Sequence, residues 1–263
     1  MNIAYFQQDI IWETPQLNYR KVEESFSRLS MPVDVLVVPE TFSTGFSDRL
    51  SSFAEDGEGE TLQFAREMAL RHDALFVGTW VVRAPDGSIY NRLHWVRPDG
   101  TYGTYDKAHT FRMSSEYEQL KRGTCQPLIE WRGWRMKPAV CYDLRFPKWL
   151  RNGVENNSQD PSNPVLDYDV LLVCANWPAS RYEAWTTLLK ARAIENLCYV
   201  VGVNRVGVDG LDIPYSGNSA VVDFKGHIID KCSPDVDEVS VATLDRDKLS
   251  LFRQHWPFFL DFD

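Results

Sequence analysis

Residues 134–147 read Trp134-Arg135-Met136-Lys137-Pro138-Ala139-Val140-Cys141-Tyr142-Asp143-Leu144-Arg145-Phe146-Pro147. The first seven of these have the composition of a strand, and Phe146-Pro147 marks a tight turn just beyond it. A cysteine placed between the two sits at a strand end, where its sulfur is exposed and backbone N–H groups converge. Such a setting favours the thiolate, the form that attacks a carbonyl. Taken alone, Cys141 reads more readily as a small core residue, which is what most free cysteines are.

The same grammar recurs on both sides. Val33–Val38 is a short apolar run that reads as a buried strand and delivers Pro39-Glu40-Thr41-Phe42 at its end. Asp169–Cys174 and Cys198–Val203 are further buried strands, with Ile3–Gln8, Leu75–Val82, Asn218–Asp223 and Glu238–Leu244 completing the set. Turn signals at Asp86-Gly87 and Asp99-Gly100 predict adjacent antiparallel strands. Helices are predicted after Thr14-Pro15 (through Leu17, Val22, Phe26 and Leu29), across Leu62, Ala65, Met68 and Ala69, and from a capping box at Ser180–Glu183 through Ile194. Strands and helices alternate throughout, which favours a layered α/β sandwich in a single domain spanning 1–263. Residues 152–167, rich in Asn, Ser, Pro and Gly, read as a surface insertion.

Composition narrows the function classes. The chain has 263 residues, a formal charge of −9 and no basic run, so nucleic acid and anionic membrane are poor partners. The N-terminus lacks a secretory signal and no apolar run is long enough to span a bilayer, so a cytoplasmic location is expected. Five cysteines without paired spacing argue against a disulfide framework, and scattered histidines argue against a metal; no cofactor is expected. No P-loop and no G-x-S-x-G elbow occurs.

Glu40 closes an apolar strand, a costly place for a carboxylate unless paired, although a helix or turn cap is an equal alternative. Lys107 follows a strand, where a lone lysine is normally solvated. Glu116 has Glu118 as a rival two residues on.

Together these segments resemble the carbon–nitrogen hydrolase family, the nitrilase superfamily. Val38-Pro39-Glu40-Thr41-Phe42 is similar to its glutamate motif, Tyr105-Asp106-Lys107-Ala108-His109 to its lysine motif, and Val140–Pro147 to its cysteine motif. Ala175-Asn176-Trp177-Pro178 and Ala191–Asn196 match later segments, so the likeness runs from Ile3 to about Leu244. The resemblance implies a four-layer αββα sandwich, usually paired as homodimers. It also implies Glu40 as general base, Lys107 as oxyanion stabiliser and Cys141 as nucleophile. Glu116, seven residues before Gly123, matches the family's second glutamate, a spacing Glu118 does not keep.

Cys141-Tyr142-Asp143 with Asn176-Trp177-Pro178 looks most like bacterial omega-amidases, which cleave the terminal amide of 2-oxoglutaramate and 2-oxosuccinamate. An aliphatic amidase or N-carbamoyl-amine hydrolase is the alternative within the family, and a catalytically silent binding module the alternative outside it. Tyr142 is expected to offer its backbone N–H to the substrate, and Trp177 and Phe42 to wall the pocket, with a place in the core as the alternative for either. His109-Thr110-Phe111 departs from the family's usual His-Leu-Phe. Arg145 is near enough by sequence to hold the substrate's far carboxylate, but a structural pairing with Asp143 is the expected role.

Overall fold

The apolar runs become strands whose two faces are both covered, which is why they read as nearly continuous hydrophobic stretches. The computed structural model describes residues 1–155 and 165–261. In chain order the strands of the first half are β1 (Asn2–Gln7), β2 (Val35–Val37), β3 (Leu75–Arg83), β4 (Ile89–Val96), β5 (Tyr102–Asp106), β6 (Ile129–Trp131) and β7 (Trp134–Val140). They continue as β8 (Val154–Glu155), β9 (Val165–Leu166), β10 (Val170–Ala175), β11 (Tyr199–Asn204), β12 (Val206–Val208), β13 (Pro214–Ser216), β14 (Ala220–Val222), β15 (Ile228–Lys231) and β16 (Glu238–Thr243). The helices are α1 (Pro15–Ser27), α2 (Glu60–His72), α3 (Glu116–Gln119), α4 (Pro147–Leu150), α5 (Tyr182–Asn196) and α6 (Arg246–His255).

Two six-stranded sheets form, in the orders β16-β1-β2-β3-β4-β5 and β15-β14-β11-β10-β7-β6. Each has three parallel central strands (β1-β2-β3 and β7-β10-β11), one antiparallel strand on one side and two on the other. Alternation along the strands splits the core. Ile3, Tyr5, Val35, Val37, Leu75 and Val77 meet Met136, Val140, Leu172 and Val201 between the sheets. Ala4, Phe6, Leu36, Val38 and Phe76 face outward onto Val22 and Phe26 of α1 and Leu62, Ala65 and Met68 of α2. Ala139, Leu171, Val173 and Val200 likewise pack on Trp185, Leu189 and Ala193 of α5. The result is the expected αββα sandwich.

Some local readings change. Leu17 is exposed, and Asn18 takes the buried position on α1, where it donates to Ile11 O and Ser43 O and accepts from Ile11 N. No capping box opens α5: Arg181 is its N-cap residue, and a 3-10 turn over Ala179–Arg181 precedes it. Tertiary contacts set this entry instead, since Trp177 Nε1 donates to Arg181 O and Trp177 N to Asn204 Oδ1. Only the edges of the 152–167 segment are described, and they are anchored: Asn152 is buried on Asn196 and Tyr168, and β8 pairs with β9. The helix α6 was not anticipated.

Candidate active site

Parallel strands deliver side chains at their carboxyl ends, and here three such ends converge. Glu40 follows β2, Cys141 follows β7 and Asn176 follows β10. Cys141 opens a 3-10 turn over Cys141–Arg145 with a left-handed φ of 43°, a conformation disfavoured for any side chain with a Cβ. Thr41, beside Glu40, shares it at 43°. Both corners line one cleft of about 590 Å³, with Lys107, Tyr142, Trp177 and Asn176 also on its walls.

At the floor, Lys107 Nζ donates to Glu40 Oε1 at 2.8 Å and to both oxygens of Glu116 at 2.9 Å. All three side chains are at most 1% exposed. Asn91 Nδ2, from the inward face of β4, bridges the two carboxylates, at 2.8 Å to Glu40 and 3.0 Å to Glu116. Phe111 N donates to the other Glu116 oxygen at 2.6 Å. Glu118 lies exposed on the same short helix, α3. The loop carrying Lys107 is closed by Gly123, whose N–H donates to Lys107 O. A Cβ at Gly123 would sit 2.1 Å from Asp106 O, so only glycine fits that crossing.

Asn176 joins the halves of the site. Its N–H donates to Glu40 Oε2 at 2.9 Å, its carbonyl faces the Cys141 Sγ at 3.7 Å, and its side chain donates to Glu40 O and Thr41 Oγ1.

Electrostatics follow from this enclosure. Burial works against the Lys107 charge, but Glu116 and then Glu40 outweigh it and hold its pKa above the ordinary lysine value. Burial, opposed by Lys107 and reinforced by Glu40, raises the Glu116 carboxyl. Burial and then the Glu40 charge push the Cys141 thiol well above its usual range, with Lys107 opposing. This direction opposes the thiolate that the strand-end setting was expected to favour.

Other expected residues land differently. Tyr142 and Trp177 line the cleft, whereas Phe42 is fully buried in the outer core among Tyr19, Phe64, Phe76 and Trp80. Arg145 is not the partner of Asp143. The Asp143 oxygens accept from Tyr105 Oη, His109 N, His109 Nδ1 and Val140 N instead. That buried carboxylate ties the Lys107 loop to the Cys141 turn, and His109 stacks on Phe146 at 3.7 Å.

Asn91, Asn176 and Asp143 escaped sequence reasoning as members of the site. For Asn91 a signal existed, since a polar residue two positions before Leu93 falls on the inward face of β4. Among the described residues no group of His, Cys, Asp or Glu is placed to hold a metal ion, and no helix is long and apolar enough to cross a membrane.

Comparison with known proteins agrees with this geometry. The chain is 40% identical over 263 residues to omega-amidase YafV of Yersinia enterocolitica, covering 100% of this chain and 97% of that protein. It is 30% identical over 229 residues to 2-oxoglutaramate amidase of Bacillus subtilis, covering 86% of this chain and 84% of that one. A crystal structure of XC1258 from Xanthomonas campestris, a CN-hydrolase superfamily protein with an arsenic adduct in its active site, superposes with a TM-score of 0.94. Its identity is 39%, over 100% of this chain and 97% of that chain. The carbon–nitrogen hydrolase family model matches residues 2–254, and the chain belongs to that family.

Proposed function

We propose that this enzyme hydrolyses the terminal amide of a short omega-amide, of the 2-oxoglutaramate or 2-oxosuccinamate type, through a thioester on Cys141. The observation that carries the reading is the buried Glu40–Lys107–Glu116 cluster beside the Cys141 thiol at the bottom of an enclosed cleft. Similarity to omega-amidase YafV and to 2-oxoglutaramate amidase supports the substrate class. A homodimer, on the family resemblance alone, and a cytoplasmic location belong to the same reading.

The chemistry follows from the charges. Glu40 takes the proton of the neutral Cys141 thiol as sulfur attacks the amide carbon, so the thiolate forms only when a substrate is in reach. The carbonyl oxygen becomes an oxyanion facing the Lys107 ammonium, whose charge Glu116 and Glu40 secure. The Tyr142 N–H, in the first turn of a 3-10 helix, has no intrahelical acceptor and is available to the same oxygen. Collapse of the tetrahedral state breaks the C–N bond, and Glu40 returns its proton to the departing ammonia. Glu40 then takes a proton from water, whose oxygen attacks the thioester. The carboxylic acid leaves, and the sulfur recovers its proton.

An ammonia-release assay over omega-amides, neutral amides, nitriles and N-carbamoyl amines tests the reading. The largest kcat/KM should fall on 2-oxoglutaramate or succinamate, with ammonia and no carbon dioxide. Carbon dioxide release, or equal rates on succinamate and butyramide, would overturn the substrate assignment and leave the amidohydrolase standing.

A further inference from the structure

The hairpin of β12 and β13 puts its loop on the cleft, and the chemistry above leaves that loop unused. Leu211, Ile213 and the buried Tyr215 all line the cleft, and Leu211 is exposed there. Ordering a loop that shows aliphatic side chains to water costs conformational entropy. This one is nevertheless held by a buried carboxylate. Asp209 Oδ1 accepts from Leu211 N at 2.9 Å and Ile213 N at 3.0 Å, and Oδ2 accepts from Tyr215 Oη at 2.9 Å. A carboxylate taken out of water needs such donors, and here they come from the loop that it organises. Behind the loop, the fully buried Arg205 lies 4.7 Å over the Tyr215 ring and donates to Val206 O and Ile10 O. Trp12 backs two segments at once: a Cβ at Gly210 would sit 2.3 Å from its Nε1, and one at Gly45 would sit 3.2 Å from its ring. The 45–48 segment so held carries Phe46, whose ring lies 5.3 Å from Lys107 Nζ. Burial first, and then Asp209, raise the Tyr215 hydroxyl's pKa, and charge on Cys141 adds to the rise, so Tyr215 stands within electrostatic reach of the nucleophile.

We infer that Asp209 is a positioning residue, which holds Leu211, Ile213 and Tyr215 as an apolar seat for the carbon chain of the substrate. This rests on the omega-amide reading and adds to it the residues that touch the methylenes. A water's share of liquid volume is about 30 Å³, so the cleft of about 590 Å³ has room for on the order of twenty waters. A short amide therefore has to be located inside a space larger than itself. An apolar surface does this along the chain by releasing water, and a fixed surface does it without the entropy of ordering a loop on arrival. Seating the chain presents the amide carbon to Cys141.

The test compares kcat/KM for butyramide and acetamide, uncharged amides that differ only in chain length, with thermal melts to check the fold. Each methylene seated is worth about fourfold, so the wild-type ratio should be about 15. Asp209→Ala should lower that ratio about fivefold while acetamide turnover changes less than about twofold. Asp209→Asn keeps an acceptor for the two loop N–H groups and pairs its amide with the Tyr215 hydroxyl, so it should stay near the wild type. Ile213→Ala removes part of the seat without touching the carboxylate and should lower the ratio about threefold. If Asp209→Ala melts below the assay temperature, Ile213→Ala decides alone. A ratio that these variants leave unmoved, or an equal loss on both amides, would overturn the seat, while wild-type turnover of succinamate kept the omega-amide reading standing. A wild type that releases no ammonia from succinamate would overturn that reading itself.

Discussion

At the floor of the cleft Lys107, Glu40 and Glu116 satisfy one another inside 3 Å, Asn91 and Phe111 share those oxygens, and Asn176 takes the remaining one on Glu40. At the wall Arg145 and Arg181 lie on aromatic faces, with their N–H groups unclaimed by any carboxylate of the described residues. A buried charge must be paired before substrate arrives, because leaving it unpaired costs several kcal/mol. A partly solvated arginine can wait in water for its partner at little cost. The floor is thus pre-assembled for a reaction common to many amides, and the wall is left open for whatever distinguishes one amide from another.

The sharpest way to break this contrast is to remove charge from the floor. Glu116→Gln should lower kcat/KM by about 10² to 10³, since Lys107 loses the counter-charge that anchors it through both oxygens. Glu118→Gln, two residues away and exposed, should change the rate by less than about twofold. Steady-state kinetics on both variants, with thermal melts to check folding, decides it. A mild Glu116→Gln beside a severe Glu118→Gln would mean the second carboxylate has been misplaced.

The two regions were also unequally legible in the sequence. The floor could be read because the segments around Glu40, Lys107 and Cys141 resemble the family's three motifs, and because the family's spacing to Gly123 separates Glu116 from Glu118. Glycine itself is required at position 123, because a side chain there would come within 2.1 Å of Asp106 O. The layered fold was legible for a related reason: strands buried on both faces leave apolar runs that no surface segment would. The wall was not legible. Arg145 was paired with Asp143 by proximity along the chain, yet Asp143 answers to Tyr105 and His109, more than thirty residues away. Phe42 was expected to wall the pocket, but after the left-handed Thr41 its ring turns into the outer core. Neither outcome follows from composition or periodicity, because both depend on which loop packs against which.

The Asp143 cluster lies between floor and wall, and it shows how firmly the floor must be held. Asp143→Asn keeps the shape but turns one acceptor toward donors from Tyr105, His109 and Val140. We expect kcat to fall about 10- to 100-fold with KM little changed, because the Lys107 loop and the Cys141 turn lose their shared anchor. Measuring kcat, KM and the thermal midpoint together separates the possibilities. A lower midpoint with kcat intact would make Asp143 scaffold only, with no part in setting the Lys107–Cys141 geometry.

The smallest expected effect lies on the reverse of the same strand and serves as the control. β4 turns Asn91 inward to the carboxylates and His94 outward, where it stacks on Trp80 at 3.7 Å and is 3% exposed. Burial first, and then the nearby Arg92 charge, lower the His94 pKa from 6.5 to about 3. The unfolded chain takes up this proton as the pH drops through 6.5, and the folded chain refuses it until about 3. The associated stability is therefore present in full above pH 6.5 and is lost steadily as the pH falls toward 3, at about 1.4 kcal/mol per pH unit. His94→Phe keeps a ring against Trp80 and removes the proton, so urea midpoints measured between pH 6.5 and 4 should slope less steeply than in the wild type. Burial and then Arg71 also lower the pKa of His72, which leaves part of the slope in place. Turnover at pH 7.5 should be unchanged, because His94 faces the outer layer and touches neither floor nor wall. An activity loss in His94→Phe at neutral pH, with the midpoint held, would show that the two faces of β4 are coupled, and the separation between a finished floor and its surrounding scaffold would fail.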